Sequence, residues 1–325
     1  MHTRQLGRTD LHITPIGFGA WAIGGEWRFG WGPQDDGDSI AAIRQAVSRG
    51  MNWVDTAPAY GLGHSEDVVA RALADIPLSE RPYVFTKCTL VWGADRVVHH
   101  DLTAASIRRE VEDSLRRLRV DAIDLYQMHW PRWTAQEGPS PGSVAEAWGT
   151  LADLKAQGKL RHIGVSNFTV ADLGVAEAIA PVASLQPPYS MLRRAIEPEI
   201  LPYCEAHDIG VLTYSPMLSG LLTGAMTRER VASLPAGDWR RTNKEYQEPQ
   251  LSRNLALVEV LRTIGARHGR SPGEVAIAWV LRRPVVTGAI VGGRSAAQID
   301  GVVGAADLRL SLSEIDEIEA ALPEQ

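Results

Sequence analysis

The sequence predicts a parallel α/β fold, either a closed (β/α)8 barrel or an open doubly wound sheet. Eight short apolar runs alternate with amphipathic stretches along the 325 residues, which is typical of parallel α/β proteins. The length also suits one barrel, which takes about 250 residues before loops are added. Residues with catalytic potential follow consecutive strands, as they do at the C-terminal face of a barrel.

The predicted strands are continuous apolar runs, as expected for parallel strands that are buried on both faces. They span residues 15–19, 51–54, 83–86, 123–127, 162–165, 183–185, 209–213 and 285–290.

The predicted helices lie between these runs and follow a helical spacing of apolar residues. They span residues 39–48, 66–74, 104–117, 144–156, 170–178, 198–206, 272–281 and 312–321. Two of them begin with a capping box, in which a serine is followed three residues later by a glutamate: Ser271 with Glu274, and Ser311 with Glu314.

Two segments fall outside the alternation. Residues 5–13 predict two short strands around a turn, a hairpin that closes the bottom of a barrel. Residues 215–250 are too long for a simple connection and predict a functional lid or binding loop.

Composition excludes several classes of protein. The net charge is −6 with scattered basic residues, which argues against a nucleic-acid partner. We find no apolar run that would span a bilayer, and the N-terminus lacks the apolar core of a signal peptide. The two cysteines, Cys88 and Cys204, make no disulfide framework, so we expect a reducing cytoplasm.

Catalytic potential is concentrated at three consecutive strand ends. The second strand ends at Asp55, with Tyr60 shortly after it, the third ends at Lys87 and the fourth at His129. Each residue alone is weak evidence, but a barrel brings all these ends to one face.

These residue types suit reduction of a carbonyl group. Hydride addition places negative charge on the carbonyl oxygen, so an acid must protonate it. We expect Tyr60 to be that acid, with its pKa lowered by the Lys87 ammonium. Asp55 would offset the charge of Lys87, and His129 would donate a hydrogen bond to the developing oxyanion.

Five segments resemble the aldo-keto reductase superfamily, and the resemblance extends from about residue 4 to residue 322. Within the superfamily the chain is most similar to the bacterial inositol-cluster and general-stress type. The segments are 50–66 (GMNWVDTAPAYGLGHSE), 121–131 (DAIDLYQMHWP), 161–168 (RHIGVSNF), 212–220 (LTYSPMLSG) and 290–298 (IVGGRSAAQ).

The resemblance implies a (β/α)8 TIM barrel formed by residues 1–325 as one domain. It also implies NADPH/NADP+ as cofactor and a small carbonyl compound or alcohol as substrate. Asp55, Tyr60, Lys87 and His129 match the catalytic tetrad, with Tyr60 as general acid/base. The residues that match cofactor-binding positions are Gly19, Ala20, Ser166, Asn167, Gln186, Tyr214, Ser215, Leu218, Gly220, Gly292, Gly293, Arg294 and Gln298.

The adenosine end of the predicted cofactor site departs from the family pattern. Family members often have an acidic residue and an asparagine where this chain has Gly301 and Val302. Arg294 still favours a 2'-phosphate, because a guanidinium pairs well with phosphate oxygens.

Three tryptophans, Trp21, Trp92 and Trp130, follow strand ends, and we expect them to line the substrate pocket. Glycines around Trp31 predict a mobile loop over that pocket. Residues 238–241 (DWRR) are expected to fold over bound cofactor.

Two further features suggest a reactive thiol and a metal site, but each has a simpler explanation. We expect Cys88 to be an inert buried thiol on the opposite strand face from Lys87. We expect His99 and His100 to be surface loop residues, with no metal site, since no further ligands stand at suitable spacing.

Two other functions stay open. One is a regulatory protein that binds NADPH with little turnover, as some superfamily members do. The other is a different barrel enzyme, such as a metal-dependent hydrolase or isomerase, whose ligand clusters we do not find. The sequence leaves the substrate, the direction of reaction and the oligomeric state undetermined.

Overall fold

A computed structural model describes residues 1–27, 29–136 and 138–322. Its centre is a closed barrel of eight parallel strands that follow one another around the barrel in chain order. This confirms the (β/α)8 barrel and excludes the open sheet.

The strands and helices have the following bounds. The strands are β1 Arg4–Gln5, β2 His12–Ile13, β3 Ile16–Gly19, β4 Trp53–Asp55, β5 Tyr83–Cys88, β6 Leu90–Trp92, β7 Val98–His100, β8 Ile123–Met128, β9 Leu160–Ser166, β10 Ser184–Gln186, β11 Gly210–Thr213 and β12 Val286–Gly292. The α-helices are α1 Asp36–Ser48, α2 His64–Leu73, α3 Ala104–Leu118, α4 Val144–Ala156, α5 Val170–Glu177, α6 Ile200–Ala206, α7 Arg228–Ala232, α8 Gln250–His268, α9 Pro272–Leu281, α10 Ala296–Asp300 and α11 Leu312–Ala321.

The predicted hairpin forms between β1 and β2 and closes the end of the barrel opposite the site described below. Its apolar side chains, Leu6, Leu11 and Ile13, pack with Trp53 and other residues of the barrel interior. The turn needs a glycine, because Gly7 has a φ of 49° and a Cβ there would lie 2.6 Å from the carbonyl oxygen of Asp208. The hairpin thereby leaves only the opposite end of the barrel accessible.

The helices form an outer layer whose ends are defined by local sequence. Ser271 and Glu274 make the predicted capping box at α9, and Ser311 and Glu314 make the one at α11. Among the described residues, no helix combines the length and apolar character that a bilayer-spanning helix needs.

One long helix, α8, is absent from our sequence prediction. Its buried face includes Asn254 and Gly265 among the leucines, so its apolar spacing is interrupted. The structure satisfies Asn254 by long-range contact, since its amide donates to the backbone oxygen of Glu245 at 2.9 Å. Its side-chain oxygen accepts a hydrogen bond from Gln250 at 3.1 Å, and the two bonds together make a polar residue acceptable on the buried face.

A second hairpin, β6 with β7, follows barrel strand β5 and was also missed. It corrects the prediction for His100, which is buried rather than on the surface, whereas His99 is exposed. The ring of His100 makes hydrogen bonds with Ser140 Oγ at 2.5 Å and with the backbone oxygen of Trp130 at 2.9 Å. The two histidines point apart because side chains alternate along a strand.

Candidate active site

The C-terminal ends of the barrel strands surround one cavity of about 730 Å³. Asp55 ends β4, and His129 directly follows β8, whereas Tyr60 lies on the loop after β4. All three side chains line the cavity. The barrel therefore brings together the residues that the sequence placed at separate strand ends.

Lys87 lies behind Asp55 rather than at the cavity wall. Its ammonium Nζ is 2.6 Å from Asp55 Oδ1 and 2.9 Å from the backbone oxygen of Thr56, and its side chain is 0% exposed. The other carboxylate oxygen of Asp55 accepts hydrogen bonds from Gln186 at 2.8 Å and Gln127 at 3.2 Å. Every charge in this buried cluster is thus compensated by an opposite charge or a hydrogen bond.

The pKa of Tyr60 departs from our expectation. Burial and the negative charge of Asp55 raise the pKa of the Tyr60 phenol well above its usual value, whereas we expected Lys87 to lower it. The Lys87 ammonium lies 5.2 Å from the Tyr60 ring centroid, but Asp55 offsets its charge. Burial also lowers the pKa of Lys87 itself. Tyr60 therefore keeps its proton at neutral pH and is available as an acid.

His129 lies beside Tyr60, with the two ring centroids 5.8 Å apart in an edge-to-face arrangement. Burial, reinforced by the Lys87 charge, lowers the pKa of His129 well below its usual value. The imidazole is therefore neutral at neutral pH, and one of its ring nitrogens carries a proton that it can donate. Tyr60 and His129 thus place two hydrogen-bond donors next to each other at the wall of the cavity.

A hydrogen-bonded group of polar residues follows on the next strands. Tyr214 donates from its hydroxyl to Asn167 Oδ1 at 2.8 Å, and Asn167 donates to the backbone oxygen of His129 at 3.0 Å. Ser166 Oγ donates to the backbone oxygen of Gln186 at 2.8 Å. These bonds hold the Tyr214 ring at the cavity wall, beside Ser166, Asn167 and Gln186, all of which the sequence had singled out.

Most of the remaining residues that the resemblance assigns to the cofactor line the same cavity. Its lining includes Gly19, Ser215, Gly220, Gly292, Gly293, Arg294 and Gln298. Gly301 and Val302, the two departures from the family pattern, line it as well. Ala20 and Leu218 are buried next to lining residues rather than at the surface of the cavity.

The three predicted pocket tryptophans separate into two groups. Trp21 and Trp130 line the cavity, but Trp92 does not: it lies on β6 with its ring 5.8 Å from the Arg117 guanidinium. The β6–β7 hairpin carries Trp92 away from the strand end, which strand order alone does not reveal.

Other aromatic residues complete the wall where Trp92 was expected, and the sequence analysis missed them. Trp27, Phe29 and Trp133 line the cavity, and Trp27 lies 6.1 Å from the Tyr60 ring. Gln127 was missed too, although its position two residues before His129 in the segment 121–131 was available as a clue. Its amide contacts both Asp55 and Gln186.

Several residues of the segment 215–250, called the strap below, line the cavity. Trp239 stacks on Trp21 with ring centroids 6.4 Å apart and meets Trp31 edge-on at 6.2 Å. The Arg240 guanidinium lies 4.7 Å from the Trp31 ring centroid and pairs with Asp238 at 2.5 Å. The strap from β11 thus meets the loop around Trp31 over the cavity.

Cys88 and Cys204 are both buried thiols without a disulfide. Burial raises the pKa of Cys88 well above its usual value, which matches the expected inert thiol. Within the described residues, no three His, Cys, Asp or Glu side chains are grouped as ligands for a metal ion.

Comparison with known proteins agrees with this geometry. The aldo/keto reductase family model matches residues 15–323. The chain belongs to the aldo/keto reductase family. It is 35% identical over 303 residues to aldo-keto reductase YhdN of Bacillus subtilis (strain 168), covering 93% of this chain and 88% of that protein.

Two further relatives carry more specific names. An NADH-specific methylglyoxal reductase of Escherichia coli (strain K12) is 35% identical over 321 residues, which cover 94% of each chain. The solved glycerol dehydrogenase AKR11B4 of Gluconobacter oxydans superposes with a TM-score of 0.87 at 37% identity, covering 98% of this chain and 94% of that one. Membership makes this aldo/keto reductase an oxidoreductase that uses a nicotinamide cofactor and acts on small carbonyl substrates.

Proposed function

We propose that this protein transfers hydride between NADP(H) and a small aldehyde or ketone, or the corresponding alcohol, with Tyr60 as general acid/base. The observation that carries the proposal is the placement of Tyr60 and His129 in one cavity with the hydrogen-bonded group Ser166, Asn167 and Tyr214. When bound, the nicotinamide supplies or accepts the hydride.

The proton chemistry follows from the charges around Tyr60. In reduction, Tyr60 Oη donates its proton to the carbonyl oxygen while His129 donates a hydrogen bond to the same oxygen. The buried Lys87–Asp55 pair lies behind the phenol. In that position the ammonium favours the phenolate left after proton transfer and Asp55 opposes it, so Tyr60 stays protonated until it donates. The same groups serve alcohol oxidation with the proton moving in the opposite direction.

The residues around the cavity fit a dinucleotide. Ser166, Asn167 and Gln186 offer amide and hydroxyl groups to the carboxamide, and the Tyr214 ring offers a flat face to the nicotinamide. Ser215, Leu218 and Ser219 have positive φ values of 56°, 48° and 53°. Turns in which right-handed and left-handed residues follow one another can point backbone N–H groups into a concavity that binds anions such as a pyrophosphate.

We favour NADP(H) over NAD(H) because of Arg294. It lines the cavity, and the hydrogen bonds that its guanidinium makes within the described residues go to neutral oxygens of Gln34, Trp31 and Pro33. An uncompensated guanidinium attracts a phosphate. Gly301 and Val302 lack side chains that would hold adenine, so on this proposal the affinity for cofactor rests more heavily on Arg294.

The substrate part of the cavity is aromatic. Trp21, Trp27, Phe29, Trp130 and Trp133 line the same cavity as Tyr60. The cationic residues of the lining, Arg230, Arg240 and Arg294, belong to the strap and to the segment after β12. We therefore propose an uncharged carbonyl compound as substrate.

Two free buried thiols also fit a reducing cytoplasm.

The test is oxidation of NADPH, followed by absorbance, with a panel of aromatic aldehydes, dicarbonyls and sugars. We expect Tyr60→Phe to lose at least about 100-fold in kcat while NADPH still binds, because only the proton donor is removed. Tyr203→Phe is the matched control, since Tyr203 stacks on His207 on the outer helix α6.

Full activity in Tyr60→Phe would refute the assignment of the acid. Tight NADPH binding without turnover of any carbonyl or alcohol would favour the regulatory role instead.

A further inference from the structure

Arg294 is bound to the loop formed by residues 29–34. Its Nε donates to Gln34 Oε1 at 2.5 Å, its Nη1 donates to the backbone oxygen of Trp31 at 3.3 Å, and its Nη2 donates to the backbone oxygen of Pro33. Gln34 returns a hydrogen bond from Nε2 to the backbone oxygen of Arg294 at 3.0 Å. The loop is therefore attached to the segment after β12 through one guanidinium and one amide.

This attachment uses only some of the hydrogen-bond donors of the Arg294 guanidinium. A guanidinium has five N–H donors, and the loop takes three of them. All three acceptors are neutral, so the positive charge is not compensated by the loop. Arg294 can thus hold the loop and a phosphate at the same time.

The same loop forms part of the aromatic wall of the substrate region. The backbone oxygen of Phe29 accepts a hydrogen bond from Trp21 Nε1 at 3.0 Å. Trp31 meets Trp21 edge-on at 5.4 Å, and Phe29 meets Trp133 edge-on at 5.8 Å. A change in how the loop is held therefore changes the surface that a carbonyl compound contacts.

We infer that Arg294 and Gln34 couple the 2'-phosphate of the cofactor to the carbonyl-binding wall through residues 29–34. The inference rests on the proposed function, since it needs Arg294 to contact that phosphate. A phosphate on the two free donors restrains the guanidinium, and the guanidinium in turn restrains Trp31, Pro33 and Gln34. Gln34 acts here as a positioning residue, because it does not line the cavity itself.

The coupling predicts that the cofactor changes the KM of the carbonyl substrate. With wild-type enzyme and each cofactor at saturation, we expect the carbonyl KM to be at least about 5-fold lower with NADPH than with NADH, which is the lower end of usual coupling between two sites. In Gln34→Ala the loop loses both hydrogen bonds of the Gln34 side chain with Arg294 and keeps those from the guanidinium to the backbone oxygens of Trp31 and Pro33. We expect the ratio of the two KM values to fall toward one there, while NADPH still binds more tightly than NADH.

Two further variants sharpen the test. Gln157→Ala is the matched control: Gln157 is exposed beyond α4 and should leave the KM ratio unchanged. Gln34→Glu keeps an acceptor for Arg294 Nε but adds a negative charge beside it. We expect this variant to retain the loop and to lose the preference for NADPH in binding.

The outcomes separate the two proposals. If NADPH binds more tightly than NADH but the carbonyl KM is the same with both, the coupling is wrong and the role of Arg294 in phosphate binding stands. A ratio of KM values that is the same in Gln34→Ala as in the wild type also overturns the coupling. Equal binding of NADPH and NADH overturns the phosphate role and the coupling together.

Discussion

The ammonium Nζ of Lys87 lies 2.6 Å from Asp55 Oδ1, and both side chains are almost fully excluded from solvent. The pair joins β5 to β4 directly behind Tyr60. A buried ion pair contributes little net stability, but removal of one partner leaves an uncompensated buried charge. Each of the two charges is therefore kept in the barrel interior by the other.

The first prediction concerns this pair. Lys87→Met and Asp55→Asn should each lower the free energy of unfolding by about 3–5 kcal/mol. The double variant should lose clearly less than the sum of the two, because no charge remains unpaired. Chemical denaturation of the four proteins gives the double-mutant cycle. Additive losses would mean that the two residues do not stabilise each other.

The second prediction concerns the backbone beside Tyr60. Gly61 has a φ of 66°, and a Cβ there would lie 1.8 Å from the backbone oxygen of Gly24. Gly158 has a φ of 81° but no atom within 4 Å of its Cβ position. Gly158→Ala should therefore cost only the strain of the left-handed conformation, about 1–2 kcal/mol.

Gly61→Ala should cost more than Gly158→Ala in thermal or chemical denaturation, because it adds a steric clash to the same strain. It should also reduce kcat, since the displaced backbone carries Tyr60. Equal stability of the two variants with unchanged kcat would contradict this prediction, because it would mean that the backbone at residues 24 and 61 moves apart without cost.

The third prediction distinguishes Trp21 and Trp130, which line the cavity, from Trp92, which does not. Trp21→Ala and Trp130→Ala remove lining of the cavity and should raise the KM for a carbonyl substrate by about 10-fold or more, because loss of an apolar contact shifts discrimination by 1–3 kcal/mol. Trp92→Ala should leave that KM unchanged, since Trp92 packs on Arg117 outside the cavity. A similar rise in all three variants would place Trp92 in the substrate region after all.

The fourth prediction concerns Glu110, a buried carboxyl behind β5. Burial raises the pKa of Glu110 to about 8, although it accepts hydrogen bonds from Thr89 N at 2.8 Å and Ser106 Oγ at 3.0 Å. In the unfolded chain the pKa of a glutamate is about 4.3. Between these two values the unfolded state releases a proton that the folded state keeps, so the wild-type protein loses stability as the pH rises.

Glu110→Gln removes this titration. Relative to the wild type, the variant should gain about 1.4 kcal/mol for each pH unit between about pH 5 and pH 8, measured by denaturation across that range. Glu112→Gln is the control on the same helix, because Glu112 is exposed and pairs with Lys159. A difference between Glu110→Gln and wild type that stays constant with pH would contradict the raised pKa.

The alternation of parallel strands and helices could be predicted from repeated local patterns, and the family resemblance implied the closed barrel in which Asp55, Tyr60, Lys87 and His129 meet. Buried parallel strands form apolar runs, and a closed barrel has one C-terminal face on which every strand end must lie. The segments 50–66 and 121–131 added the expected roles through family resemblance. The capping boxes of α9 and α11 were equally local and were predicted correctly.

The loops over the cavity were decided only by tertiary structure, because their conformation depends on contacts between residues distant in sequence. Trp92 and Trp130 looked equivalent after their strands, yet the β6–β7 hairpin turns Trp92 toward Arg117. Arg294 is 260 residues from Gln34 along the chain and is joined to it by two hydrogen bonds. The spacing of residues along the chain does not predict such pairs. A loop conformation is stabilised by partners that come close only when the barrel has folded.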